Sequence, residues 1–168
     1  METTKNLEFI KDVINKKVTV IRHFDAPIDQ VWRAWTETEL IDQWWAPKPW
    51  KAETKTMDFR AGGSWLYAMI GPEKEKHCCR VDYKSVDAPR SFSGDDYFCD
   101  ENYKKNTELP TMHWTVDFMA QGDSTKVTVI INFDKPEDLE TITKMGFQEG
   151  FTAALGNLDE LLIETTNS

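Results

Sequence analysis

The sequence predicts an α+β fold, an antiparallel sheet closed by one long helix. Three observations predict it. About seven segments between residues 17 and 133 alternate or carry β-branched and aromatic residues, with turn residues between them. Two short stretches after the first strand switch to helical spacing. From Lys135 the period changes to 3.6 and holds to about Ile163. A run of strands followed by a helix buries the helix's apolar stripe on one face of the sheet.

The elements follow in order. Residues 1–16 read as a loose lead-in, and 17–164 as a single domain. Lys17 to Phe24 alternates and forms the first predicted strand. Pro27 suits a first helical turn, and Ile28, Val31, Trp32 and Trp35 share one face after it. Thr36 and Glu39 have capping-box spacing, predicting a second short helix from Glu37 to about Trp45. Pro47 and Pro49 then stop helix and favour extended backbone. Trp50 to Phe59 reads as a strand with one wet face, and Ala61-Gly62-Gly63 as a turn. Strands follow over Ser64 to Ile70, His77 to Val86, Ser91 to Cys99, Met112 to Ala120 and Lys126 to Phe133. Asp100 to Pro110 is a polar loop, and Gln121 to Ser124 a hairpin turn. In the final helix Phe147, Phe151, Ala154, Leu155, Leu158, Leu161 and Leu162 make one stripe.

Bulk properties limit the function. The 168 residues carry a net charge of −9, which argues against nucleic acid or an anionic membrane as partner. No segment has the signal-peptide or membrane-span pattern. Cys78, Cys79 and Cys99 are odd in number and lack C-x-x-C spacing, so a reducing cytoplasm is the expected setting.

Five segments carry a family resemblance: Arg22 to Pro27 (RHFDAP), Val31 to Thr36 (VWRAWT), Gln43 to Pro47 (QWWAP), Phe59 to Trp65 (FRAGGSW) and Met145 to Gly150 (MGFQEG) with Leu158 to Leu161 (LDEL). In this order they resemble the SRPBCC (START-like) superfamily, in the branch of homologues of the heat-shock-protein-90 ATPase activator (AHSA-like). The resemblance runs from about Lys17 to Leu162. It implies a helix-grip fold like that of START domains and the birch-pollen allergen. A curved sheet of about seven strands wraps a long C-terminal helix, and two short helices follow strand one. It also implies a cavity between sheet and helix, but no shared catalytic residue and no cofactor. At Cys78, where many relatives carry a bulky aromatic, the smaller side chain either enlarges a cavity or repacks the sheet.

Candidate residues follow from this frame. Trp44, Trp45, Trp50, Trp65, Tyr67 and Tyr83 either wall an apolar pocket or belong to the core with Trp32, Trp35 and Trp114. Trp44 and Trp45 are adjacent, about 100° apart on a helix, so one is expected in the core and the other at the cavity mouth. Gly146 and Gly150 fall within the predicted helix, where glycine costs about 1 kcal/mol. A close approach by the sheet, by a ligand or by the first helices would account for them. Met145 and Ile142 face away from the main stripe, towards a cavity portal or a dimer partner. His77, Cys79 and Cys99 lack a recognised zinc spacing, so no metal is expected. No nucleophile motif is present. Asp95, Asp96 and Glu101 are not distinguishable from solvated charges, and His23 and His113 are the histidines to check for chemistry.

The leading expectation is a small soluble protein that binds a hydrophobic small molecule in an internal cavity. A co-chaperone acting on a chaperone ATPase is the second reading. It ranks lower, because the eukaryotic activators carry a further N-terminal domain that sixteen residues cannot hold. An enzyme working on a hydrophobic ligand in the same cavity is the third. Its mark would be a titratable group inside the pocket.

Overall fold

The computed structural model describes residues 7–166. Eight antiparallel strands form one sheet in the order β1-β2-β8-β7-β6-β5-β4-β3. They are β1 (Leu7–Asp12), β2 (Lys17–Phe24), β3 (Lys51–Met57), β4 (Ser64–Ile70), β5 (Lys76–Asp87), β6 (Ser91–Cys99), β7 (Met112–Gln121) and β8 (Ser124–Asn132). The helices are α1 (Ile28–Thr36), α2 (Thr38–Ile41), α3 (Pro136–Lys144) and α4 (Phe147–Thr166). Strands β3 to β8 form a meander, and β2 returns to pair with β8. This is the predicted α+β helix-grip architecture with one strand more.

That strand lies in the segment read as a lead-in. Leu7 to Asp12 pairs with Arg22 to Lys17, so Phe9 sits opposite Val20. Residues 13–16 make the turn into β2, with the Lys16 N–H donating to the Val13 carbonyl at 3.2 Å, and residues 1–6 lie outside the described residues.

Alternation sorts the side chains between the two faces. On β2, Val18, Val20, Arg22 and Phe24 are buried and the residues between them half-buried. On β7 and β8, Trp114, Val116, Phe118, Val127, Val129 and Ile131 continue the same inner face. Helix α4 lays Phe151, Ala154, Leu155, Leu158, Leu161 and Leu162 on it. Buried Arg22 forms an ion pair with Asp159 of α4 and donates from Nη1 to the His23 carbonyl at 2.6 Å. Burial pushes the Asp159 carboxyl up, and Arg22 opposes this.

Two predicted details are corrected. The capping box does not form, because Thr36 ends α1 and its hydroxyl donates back to the Trp32 carbonyl at 2.8 Å. Glu37 instead pairs with Arg33 one turn earlier, at 2.9 Å. Helix α2 is therefore short, and turns lead from it to Trp44. The C-terminal helix is also broken. Gly146 has φ +87° between α3 and α4, a left-handed conformation that glycine adopts without a Cβ penalty. Ile142, off the α4 stripe by helical spacing, is buried because the joint re-aims α3.

Edge strand β3 exposes Lys51, Glu53 and Lys55, and its register slips between Thr54 and Thr56. On the sheet's other face, Ala68, Cys78 and Tyr103 make a small second core beneath the polar loop.

Candidate functional site

The segment between α2 and β3 fixes one wall of the site. Trp44 is fully buried, and its indole N–H donates to the Ala34 carbonyl at 2.9 Å. The link then turns, with the Trp50 N–H donating to the Pro47 carbonyl at 2.9 Å, where the two prolines predict extended chain. Asn157 of α4 donates to the Ala46 carbonyl at 3.1 Å and so holds the link against the grip helix. Trp45 packs edge-on to Trp44 at 5.3 Å and reaches further towards the sheet. Its ring packs edge-on to Trp65 at 5.4 Å and tilted against Trp114 at 5.8 Å.

A cavity of about 30 Å³ lies between these rings and the sheet. Trp35 and Ile41 close it from α1 and α2, and Trp45 from the link. The sheet contributes Trp65 from β4, Val81 and Tyr83 from β5, and Trp114 from β7. Strand β6 supplies Phe92, Gly94 and Asp96. Gly94 is required because an added Cβ would meet the Asp82 carbonyl at 2.8 Å. The volume holds one or two waters by the usual measure. A drug-sized ligand needs about 300–1,000 Å³, so larger guests require the aromatic wall to part. A second depression of about 350 Å³, between Thr36 to Glu39 and Met57 with Phe59, is open and polar.

The cavity's polar groups are its distinguishing feature. Asp96 is 4% exposed, and its carboxyl makes no hydrogen bond or ion pair among the described residues. Burial alone raises it from the ordinary 3.8 to about 7. Its negative charge in turn helps raise the buried hydroxyls of Tyr67 and Tyr83 and the Cys79 thiol, after their own burial. Among the described residues, three buried indole N–H groups lack a hydrogen bond, those of Trp35, Trp45 and Trp114. All three residues line the cavity. The Trp45 N–H lies near enough to the Tyr67 hydroxyl to favour its ionised form, but short of hydrogen-bond geometry. By contrast, Trp65 donates to Thr54 Oγ1 at 3.0 Å, and Thr54 donates to Asp42 at 2.5 Å. An unpaired buried donor costs about 1–3 kcal/mol. The three unpaired donors lie in rings that wall the cavity, and the Asp96 carboxyl is its charged lining group.

The structure brings together Trp45, Trp65 and Tyr83 of the residues singled out from sequence. Tyr67 stacks on Trp65 at 4.0 Å, one layer behind the lining. Trp44 is core, and Trp50 stacks on His77 at 5.3 Å, away from the cavity. Met145 is exposed and Gly146 is the helix joint, while Ile142 is buried in the core. An added Cβ at Gly150 would only touch Pro47, at 3.8 Å, so that glycine is not forced by close approach. Cys99 is registered with Cys78, on the face opposite to Cys79, so it does not join His77 and Cys79. His113 bridges Asp95 and Asp134 at 2.7 and 3.0 Å outside the cavity.

Asp96 was not distinguishable by composition. The signal for it is alternation: Phe92, Gly94 and Asp96 share one face of β6, and Phe92 fixes that face as the inner one. Trp35 and Trp114 read from sequence as core, which they also are.

A family model matches residues 25–163, described as "Activator of Hsp90 ATPase homolog 1-like protein". The chain belongs to this family. A solution structure from Arthrobacter aurescens is 30% identical with a TM-score of 0.89, covering 94% of this chain and 91% of that one. Protein Ms6760 from Mycobacterium smegmatis is 30% identical with a TM-score of 0.86, covering 92% and 95%. A Staphylococcus epidermidis protein is likewise 30% identical, with a TM-score of 0.82 and 94% coverage of each chain. No curated protein matches. These structures share the fold with this chain. Among the described residues no helix is long and apolar enough to cross a membrane.

Proposed function

We propose that this AHSA-like domain binds a small, largely apolar molecule in the Asp96 cavity. The observation that carries the reading is one unpaired buried carboxyl, that of Asp96, in the lining of an otherwise aromatic-walled cavity. Aromatic walls supply the binding area, at about 25 cal/mol for each Å² removed from water. The few polar groups set orientation. Entry proceeds by displacement of Trp45, which lies on the irregular link and not on a helix or strand. The three free thiols suit a reducing, cytoplasmic setting.

The test is a screen of apolar metabolites by native mass spectrometry and thermal shift, on the native protein and on Trp45→Ala. Binding should rise in Trp45→Ala, because the indole no longer fills the space. If neither protein binds any member of the set, the reading is wrong. The family description favours a second reading, stimulation of a chaperone ATPase. Measuring ATPase rates with the chaperone at saturating domain concentration separates the two, since an unchanged rate removes the second.

A further inference from the structure

We infer that Cys78 and Cys99 are an oxidation site, a thiol pair that a hydroperoxide converts to a reversible cross-strand disulfide on the outer face of the sheet. The two residues are direct register partners on adjacent antiparallel strands, Cys78 on β5 and Cys99 at the end of β6. Residues directly opposite in such a pair put their side chains on the same face. Cys78 belongs to the small second core with Ala68 and Tyr103, and Cys99 packs against it. Both thiols are free. Cys79, next in sequence, lies on the other face, paired with Tyr67 and Phe98 and buried in the main core. Only one pairing of the three cysteines is therefore open within the folded chain.

The backbone fixes the spacing. The Phe98 carbonyl accepts from the Asn106 N–H at 2.8 Å, and the Asp100 N–H donates to the Lys104 carbonyl at 3.0 Å. Both neighbours of Cys99 thus point away from β5, and Cys99 turns its own N–H and C=O towards it. A hydrogen-bonded pair of this kind has Cα atoms about 5.5 Å apart, inside the range of about 4.4–6.8 Å that a disulfide spans. Its Cβ atoms start about 5.5 Å apart where a disulfide wants about 4 Å, so closure must draw in the end of β6. Cys99 is the last residue of that strand, where the chain leaves for the polar loop. Its thiol now donates weakly to the Tyr97 carbonyl at 3.7 Å and gives up that bond on turning to Cys78. A bridge closed against such tension is more easily reduced than a relaxed one, which makes it reversible.

Cys99 is half-buried and Cys78 is buried, so Cys99 meets the oxidant first. Its sulfur attacks one peroxide oxygen, the O–O bond breaks, and a sulfenic acid and one water result. The Cys78 sulfur then attacks the Cys99 sulfur. The S–S bond forms, the S–O bond breaks, and hydroxide leaves with the Cys78 proton as a second water. The two sulfurs together lose two electrons, and the two peroxide oxygens gain them. Thiolate is the reactive form, and burial pushes Cys99 up to about 11, with Arg80 opposing. The pair therefore reacts slowly and closes under excess oxidant, not at resting levels.

The test treats the folded native chain with excess hydrogen peroxide, then alkylates in denaturant and reads intact mass and a peptide map. One of the three thiols should remain alkylatable, that of Cys79. The monomer should be lighter by about 2 Da before alkylation, with Cys78 and Cys99 joined in one peptide pair. Dithiothreitol should restore all three thiols. Cys79→Ser should close the same bridge, and Cys78→Ser and Cys99→Ser should close none within the chain. The native measurement stands without the variants, so the result does not depend on their folding. Three thiols persisting in the native protein overturn the inference. A bridge that includes Cys79, a bridge between two chains, or Cys99 stopping at a sulfinic acid with Cys78 still reduced also overturns it.

Discussion

Replacing Asp96 by Asn should make the protein more stable at alkaline pH, by an amount that grows with pH. The carboxyl is 4% exposed and is raised by burial from 3.8 to about 7. Between those values the folded chain holds a proton that the unfolded chain has lost. Stability must then fall as pH rises, because the folded state binds more protons. The contribution is full below pH 3.8 and gone above about pH 7. At about 1.4 kcal/mol for each tenfold change in proton affinity, the whole fall is on the order of 4 kcal/mol. About 3 kcal/mol of it lies between pH 5 and pH 8. That is a large share of a typical total of about 5–15 kcal/mol. Asparagine keeps the shape and cannot ionise. The assay is urea unfolding of both proteins at intervals from pH 5 to pH 8.5, taking the difference at each pH so that other titrating groups cancel. The stability of Asp96→Asn relative to the native protein should climb by about 3 kcal/mol across that range. A difference that stays flat within about 0.5 kcal/mol would show that Asp96 ionises freely, and the buried-acid argument would fail.

Other perturbations bear on the frame around the site. Asp159→Asn leaves Arg22 buried without its counter-charge and should cost about 3 kcal/mol in urea unfolding, with Arg22→Met restoring much of it in the double variant. The two glycines near the start of the grip helix should respond in opposite directions. Gly146→Ala should destabilise by about 1 kcal/mol because φ is +87° there. Gly150→Ala should stabilise by up to about 1 kcal/mol because a Cβ meets only Pro47 at 3.8 Å. Thiol labelling at pH 8 should modify Cys99, which is half-buried and raised to about 11, before fully buried Cys79, and equal rates would contradict that order.

Where alternation or helical spacing was strong, the fold was legible. Lys17 to Phe24 and Ser91 to Cys99 run as strands over the bounds their alternation marks. Strand β1 was not legible, because apolar Leu7, Phe9 and Ile10 do not alternate cleanly and its support comes from pairing with β2. The helix break at Gly146 was missed although Ile142 carried a sign of it, since it lies off the α4 stripe by helical spacing and is nonetheless buried once α3 is re-aimed at the joint. The site was legible only in part. Aromatic enrichment pointed to Trp45, Trp65 and Tyr83, but pattern alone does not separate a tryptophan that finds a carbonyl, as Trp44 does, from one that does not. Asp96 needed the facing of β6, one step beyond composition.

The charged edge strand also bears on how the domain behaves in a crowded solution. An open sheet offers a row of free N–H and C=O groups to any extended chain, the geometry from which fibrils grow. On β3 that row is flanked by exposed Lys51, Glu53 and Lys55, and the bulge between Thr54 and Thr56 breaks its register. An incoming strand would have to bury those charges and could not keep in step past the bulge. The sheet therefore stops at β3, and this edge does not lend itself to aggregation.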